Sequence, residues 1–399
     1  MLQRIAGPIA IDLFAGAGGL SLGFETAGFS IALSVEKAPH AAATYRRNHP
    51  DTILVEEDIR EINPERCLAN AGIDPAKIDA LICGLPCQGF SESNRRTRNL
   101  ENPRNLLYED VLRFVRDIRP AHVVVENVAG MQTMAGGEVI CRIVDTCTNL
   151  GYSISTFELN AVEFGVPQIR RRLFIVGCLD GEVKAPKSTH GTDARPPITV
   201  RDAISDLPVL RPGSALEMRH YRKGGGLSSY QRQMRRGVPA GQMVSGHRVT
   251  KSSSIVLERF RHIKPGQNWE AIPVHLMENY KNRTLCHTGL YYRLVWDEPS
   301  KVVGNFRKNM LIHPSQNRGL SVREAARLQS FPDRYDILGP MGAQQQQVAD
   351  AVPPLLARAV ARKLALKIAG SAWVQNGQST SESRSIRRSR TRRAAWASV

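Results

Sequence analysis

The sequence predicts an α/β protein with a doubly wound, mostly parallel sheet and a second, smaller lobe. Three observations carry this expectation. Short Val- and Ile-rich runs alternate with helical patterns through the first 180 residues, the signature of strand–helix–strand units. The first of these runs opens into a glycine-rich turn. Near Pro186 the texture changes to Pro-, Gly- and Arg-rich segments, and helical periodicity returns only after about Ser321.

The elements follow in order. Strands are expected at Ile9–Phe14, Ile31–Val35, Ile53–Val55, Ile78–Cys83, His122–Val125, Ser153–Leu159 and Leu173–Cys178. Their near-continuous apolar runs suit strands buried on both faces. Helices are expected between them. Leu20–Ala27 stops before Gly28, His40–Asn48 before His49-Pro50, Leu106–Ile118 near Pro120, and Val139–Leu150 at Gly151. Gly and Pro are the residues that end helices. Two further helices are expected at Val322–Ser330 and Pro354–Ala369. The expected organisation is a cofactor-binding lobe over 1–185, a recognition lobe over 186–300, a return segment over 301–370 that completes the first lobe, and a disordered basic tail over 371–399.

Composition excludes several classes. The 399 residues, 42% hydrophobic and 23% charged, describe a globular chain with room for two domains. No apolar run approaches the ~20 residues of a bilayer span, and residues 1–11 lack the apolar stretch of a signal peptide. A cytoplasmic location is expected. Seven cysteines (67, 83, 87, 141, 147, 178, 286) are odd in number and form no CxxC pair, which argues against a disulfide framework or a Cys-rich metal site. The formal charge of +17 is segregated. Residues 1–180 carry 18 basic and 22 acidic groups, 181–310 carry 22 and 10, 311–370 carry 8 and 4, and the tail carries six Arg and one Glu. A basic block beside a near-neutral body points to a polyanion-binding module on an enzyme-like frame.

The chemistry-bearing segments sit at predicted strand ends, where doubly wound sheets bind ligands. Asp12-Leu13-Phe14-Ala15-Gly16-Ala17-Gly18-Gly19-Leu20 joins a strand to a helix, and its glycines let the backbone approach a ligand. Ser21 stands where a dinucleotide fingerprint needs Gly or Ala. Glu36, at the end of the second strand, can accept both ribose hydroxyls, and Asp58 can accept from an adenine amino group. An adenosyl ligand without a pyrophosphate fits this set better than NAD. Gly84-Leu85-Pro86-Cys87-Gln88-Gly89-Phe90-Ser91 follows the fourth strand. A Cys after Pro in a Gly-flanked turn is placed for exposure, and an exposed thiolate is a nucleophile. Glu126-Asn127-Val128 ends the fifth strand over the same crevice. In Gln168-Ile169-Arg170-Arg171-Arg172, strand alternation sends Arg170 and Arg172 to one side and Arg171 to the other.

The strings DLFAGAGG, GLPCQGFS, ENV, QIRRR and VREAARLQSFP, in this order, resemble the DNA (cytosine-5)-methyltransferase family over roughly residues 9–365. The resemblance implies an S-adenosylmethionine-dependent, Rossmann-like enzyme that methylates C5 of a cytosine flipped out of duplex DNA. Cys87 would attack C6, Glu126 would contact N3 and the amino group, and Arg170 and Arg172 would hold O2 and nearby groups. Phe14, Gly16, Gly18, Gly19, Glu36, Asp58, Ile59 and Pro86 would surround the cofactor. So would Asp350 and Ala351, although here the family's Q-x-G-N-[AS]-V-P reads Gln347-Val348-Ala349-Asp350-Ala351-Val352-Pro353. Gln88, Ser91, Arg95 and Arg96, in a segment that closes over DNA, and Thr284, in the recognition lobe, would contact DNA. Arg323, Glu324 and Gln329 read as structural. The resemblance further implies a monomer, no metal, no membrane and a restriction-modification setting. Two rival readings are an RNA (tRNA) cytosine methyltransferase and a catalytically silent DNA-binding relative.

Overall fold

The computed structural model describes residues 7–86, 106–193, 195–280, 288–304, 306 and 311–370. Seven strands form one sheet: β1 (Ile9–Leu13), β2 (Ser30–Val35), β3 (Ile53–Val55), β4 (Ala80–Gly84), β5 (His122–Val128), β6 (Ser153–Asn160) and β7 (Arg171–Cys178). The order is β3-β2-β1-β4-β5-β7-β6. The first five strands pair in parallel, and β7 runs antiparallel to both β5 and β6. The chain reverses between β1–β2–β3 and β4–β5, so the carboxyl ends of β1 and β4 flank a crevice open to a ligand.

The helices between the strands are α1 (Gly19–Glu25), α2 (Pro39–Asn48), α3 (Pro64–Asn70), α4 (Leu107–Ile118) and α5 (Glu138–Asn149). Their ends follow local chemistry. Gly18 enters α1 at φ 82°, Pro39 sits in the first turn of α2, and the Asn63 side chain caps α3. All seven expected strands and the four expected helices of this half are present, with ends shifted by a few residues. Helix α3 was not expected.

Each strand is covered on both faces, so alternate residues feed two cores. Ala10, Ile31, Ala80, Ile82, Val124 and Phe174 join Leu20 and Phe24 of α1 and Leu356, Val360 and Leu364 of a helix over 354–370. Ile11, Leu13, Leu33, Leu81, Val123 and Val125 join Val111, Leu112 and Val115 of α4 and Val139 and Ile143 of α5. Each fully buried side chain of this size contributes about 1.5–3 kcal/mol.

Between β7 and residue 321 no strand of the described residues joins the sheet. Short helices α6 (Val200–Ile204), α7 (Ser229–Met234) and α8 (Ser254–Arg261) lie there, the first two started by capping boxes. Packing does not break at the expected boundary of 185. Val200, Ile204, Leu207, Tyr230 and Met234 belong to the main core. A separate small core forms further on, from Phe260, Ile263, Trp269, Met277, Tyr291 and Ile312.

The chain returns through α9 (Val322–Leu328) and α10 (Met341–Asp350) to the helix over 354–370, numbered α11. Helix α9 is held by ion pairs rather than apolar contact alone. Arg327 Nε lies 2.6 Å from Asp333 Oδ1 and its Nη1 3.0 Å from Asp206 Oδ1, and Arg318 Nη2 lies 2.7 Å from Glu324 Oε1. Arg323, Glu324 and Gln329 are fully buried and bonded within the protein, as their structural reading anticipates. No helix among the described residues is long and apolar enough to cross a membrane, and no cluster among them could hold a metal ion.

Candidate active site

The carboxyl ends of β1 to β5 carry Phe14, Glu36, Asp58, Pro86 and Glu126 along one edge of the sheet. After β1 the chain turns sharply. Phe14 takes φ 58°, Gly16 57° and Gly18 82°. The space beside Gly16 is open, since a Cβ there would meet nothing nearer than Phe14 O at 3.9 Å. Gly19 differs, because a side chain there would collide with the Val352 carbonyl. At the end of β2, Glu36 faces this turn. Its Oε2 accepts from Gly16 N–H at 2.8 Å and its Oε1 from Ala38 N–H at 2.7 Å. Each oxygen keeps a lone pair for a further donor.

Asp58 follows β3 and caps a short 3-10 turn that begins at Ile59. Hydrogen bonds from the Arg60 side chain, with help from Lys37 at 2.9 Å, hold its carboxyl well below the usual range. It is therefore an obligate acceptor. Ile59 beside it is buried, and Phe14 and Pro86 are half-buried.

Underneath the turn, Asp12 is fully buried. Its Oδ2 accepts from Ser21 Oγ at 2.5 Å, and its Oδ1 has no hydrogen-bond partner. Burial pushes its pKa up to about 7, against the Ser21 hydrogen bond.

Glu126 is the centre of the other half. It stands in β5 opposite Gly84 of β4 and is 6% exposed. Arg172, opposite Val128 on β7, places Nε 2.9 Å from Glu126 Oε1. Burial raises the Glu126 pKa, while Arg172 and Arg170 oppose the rise. A Cβ on Gly84 would lie 3.6 Å from Glu126 Oε2 and 3.6 Å from Val352, and Leu85 N–H donates to the Glu126 carbonyl at 3.1 Å. The segment that leads to Cys87 thus runs directly along Glu126.

Arg170 shares the buried side with Arg172, and Arg171 points to solvent, as alternation requires. The two arginines are used differently. Arg170 is 2% exposed. Its Nη1 donates to Val303 O, and its Nη2 to Ala349 O and Ala351 O, at 3.0–3.2 Å. Sequence reasoning assigned no role to Gln168, which does the same work from 0% exposure. It donates to Leu328 O and Gln329 Oε1 and accepts from Val303 N–H. Arg170 thus fixes the end of α10, and Gln168 fixes the end of α9 to the strand-end segment that carries both. Only the Gln-Ile-Arg-Arg-Arg string itself could have signalled that role.

At that end Ala351 is buried, while Asp350 is reachable by solvent yet ringed by protein. Both Asp350 oxygens accept from Gln346 Nε2 at 2.8 Å. The surrounding protein raises its pKa, with Arg170 and Arg172 near enough to oppose. Cys87, Gln88, Ser91, Arg95, Arg96 and Thr284 lie outside the described residues.

The sequence profile of the C-5 cytosine-specific DNA methylases matches residues 9–366. Among curated proteins, the Type II methyltransferase M1.HphI of Haemophilus parahaemolyticus is 38% identical, with 88% of this chain and 85% of that protein covered. The Type II methyltransferase M.AgeI of Thalassovita gelatinovora is 33% identical over 90% of this chain and 99% of that protein. Among solved structures, a DNA modification methyltransferase encoded within a prophage of E. coli superposes with a TM-score of 0.72 at 27% identity, covering 90% and 98% of the two chains. The Entamoeba histolytica methyltransferase EhMeth shares the fold, with a TM-score of 0.55 at 13% identity over 90% and 98%. A match over nearly the whole chain, with the sheet order and site geometry above, assigns it: this chain belongs to the C-5 cytosine-specific DNA methylase family and is a DNA (cytosine-5)-methyltransferase.

Proposed function

We propose that this enzyme methylates C5 of a cytosine flipped out of duplex DNA, by covalent catalysis from Cys87, in a restriction-modification setting. The observation that carries the reading is the Glu126–Arg172 pair. It is a nearly dry carboxylate and guanidinium 2.9 Å apart, beside the glycine that opens the segment to Cys87.

The Cys87 thiolate adds to C6 of the ring and forms a carbon–sulfur bond. The electron pair of the 5,6 double bond moves to C5. Glu126, whose pKa burial raises, can share a proton with N3 and withdraw charge from the ring as the thiolate adds. Arg172 keeps that carboxyl oriented and offers its remaining donors to O2. After C5 gains the methyl group, loss of the C5 proton expels Cys87 and restores the double bond. The ring atoms are unreachable within a duplex, so the base must leave the stack, which costs a few kcal/mol.

The residues present fit S-adenosylmethionine. The open Gly16 turn, Glu36 and Asp58 supply an open cradle and acceptors for an adenosyl group, with Phe14, Gly18, Gly19, Ile59, Pro86, Asp350 and Ala351 around them. That cofactor supplies an electrophilic methyl group when bound. Exposed basic side chains between residues 186 and 300, among them Arg211, Arg222, Lys223, Arg232, Arg236 and Lys251, suit a phosphate backbone. In this reading the catalytic lobe is residues 1–185 with the return segment, and Val200, Ile204, Leu207, Tyr230 and Met234 of the recognition segment pack into its core; the basic tail is an added phosphate contact.

The test is methyl transfer from radiolabelled S-adenosylmethionine to duplex DNA and to tRNA in parallel. Incorporation into DNA, mapped to cytosine C5, supports the reading. Incorporation into tRNA alone overturns it in favour of an RNA substrate.

A further inference from the structure

Directly under the glycine turn lies a chain of four groups with no role in the chemistry above. Glu25 Oε1, at the end of α1, is 2.8 Å from His49 Nδ1. His49 Nε2, just past α2, is 2.8 Å from Tyr335 Oη. Tyr335, from the segment after α9, donates through Oη to the Ala17 carbonyl at 2.5 Å. The His49 side chain is fully buried, Tyr335 is 1% exposed, and Glu25 is 31% exposed. Gly18 has no side chain, and any Cβ there would collide with both His49 and Tyr335. The chain is therefore packed against the peptide that shapes the turn.

Donors and acceptors in this chain can be counted. The Ala17 carbonyl only accepts, and Tyr335 has a single hydroxyl proton. If that proton goes to Ala17, Oη must accept from Nε2–H of His49. Nδ1 then either carries a second proton and donates to the Glu25 carboxylate, or accepts one from a protonated Glu25. Both arrangements hold one proton more than a neutral imidazole beside a carboxylate. Without it, Nδ1–H satisfies Glu25, Nε2 becomes an acceptor and takes the Tyr335 proton, and the buried Ala17 carbonyl loses its donor. The alternative tautomer sets a lone pair against a carboxylate at 2.8 Å.

We propose that Glu25, His49 and Tyr335 form a proton-bearing strut that positions the glycine turn, so that binding of an adenosyl cofactor requires the strut's extra proton. Tyr335 is its positioning residue. The inference rests on the cofactor reading above. The groups facing His49 are Glu25 from α1, Tyr45 stacked on it from α2 at 4.3 Å between centroids, and Tyr335. Asp12 is reached beyond Tyr45 through Ser21, and Arg334 adjoins Tyr335. Burial keeps the Tyr335 hydroxyl protonated at any working pH. Asp12, held by burial at a pKa of about 7, adds its own pH dependence; Tyr335→Phe leaves this as in the unmodified enzyme, whereas Glu25→Gln removes one repulsion that helps to raise it.

The experiment measures S-adenosylmethionine dissociation constants by calorimetry at about pH 6 and pH 9, with thermal melting as a check of folding. Tyr335→Phe is expected to bind about 5- to 100-fold more weakly than the unmodified enzyme at pH 6, the range for a buried carbonyl without a donor. At pH 9 the two should agree within about twofold. Glu25→Gln supplies an amide N–H to Nδ1, which lets a neutral imidazole complete the strut. This variant should bind as tightly as the unmodified enzyme at pH 6 and more tightly at pH 9. It alters a partly exposed side chain, so it carries the test even if Tyr335→Phe fails to fold. A Tyr335→Phe ratio that is the same at both pH values, or Glu25→Gln weakening in step with the unmodified enzyme, overturns the strut and leaves the cofactor assignment standing. Unmodified enzyme that binds no S-adenosylmethionine at either pH overturns both.

Discussion

Replacing Arg172 by Leu should destabilise the protein in a way that depends on pH. In the folded protein Glu126 is 7% exposed at its side chain and Arg172 11%, so solvent does little to screen the pair. Burial holds the Glu126 pKa above its ordinary value, and Arg172 is the largest opposing influence. Removing a positive neighbour of this kind raises a carboxyl pKa by roughly one to three pH units, which corresponds to about 1.4–4 kcal/mol. The direction follows from proton binding. An acid whose folded pKa lies above its unfolded value stabilises the fold at low pH, and that stability is lost as pH rises through the folded value. Arg172→Leu moves the folded value further up, so the variant loses more stability than the parent on going from about pH 5 to pH 8. Urea denaturation at both pH values measures the difference. Glu126→Gln combined with Arg172→Leu should remove the pH-dependent part and leave only the packing change. A deficit equal at both pH values, and unchanged in the double variant, would refute the account of Glu126 as a dry carboxyl held by Arg172.

Three further outcomes are expected. Asp350→Asn should lower the S-adenosylmethionine dissociation constant about 3- to 10-fold by titration calorimetry, a gain of roughly 1 kcal/mol. The change removes a carboxylate from a protein-ringed position and restores amide donors; equal or weaker binding counts against this role for Asp350. Arg327→Met should destabilise the fold by about 3–5 kcal/mol in urea, because it takes the ion pair from buried Asp333, which keeps only the Tyr221 hydroxyl, and leaves Asp206 with Arg235 alone. DNA affinity should fall by about 10³–10⁵ between 50 and 200 mM salt if ~6–10 phosphates are contacted. A flat response would exclude the basic segment as the DNA-binding face.

The sheet was legible in the sequence because strands covered on both faces need unbroken apolar runs, and because Gly and Pro mark where helices stop. The site row was legible for the same reason: Glu36, Asp58 and Glu126 all sit where predicted strands end. Three features were not legible. Helix α10 carries the run Gln344–Gln347, and Gln344, Gln345 and Gln347 are buried, with their side-chain amides donating to Ile337 O, Thr250 Oγ1 and Leu338 O, bonds that no hydrophobic pattern reveals. Arg323 reads as structural from its motif, but nothing in the sequence singles out Arg318 and Arg327, which are equally among the largest fully buried side chains. Arg259 and Arg293, within the basic block, are also buried, donating to carbonyls such as Leu276 O and Ile263 O. The block's formal charge therefore overstates what it can offer to phosphates. His49 served in the sequence only as a helix end before Pro50; its partners Glu25 and Tyr335 lie 24 and 286 residues away, a separation that local patterns cannot bridge.

In the proposed mechanism a sulfur atom at position 87 bonds to an extruded cytosine. The most direct measurement incubates the enzyme and Cys87→Ser with S-adenosylmethionine and duplex DNA that carries 5-fluorocytosine, and looks for a denaturation-resistant complex. The unmodified enzyme should form one and Cys87→Ser should not, while both retain binding to ordinary duplex DNA. A stable adduct with the serine variant, or none with the unmodified enzyme despite active methyl transfer to ordinary DNA, would contradict the account.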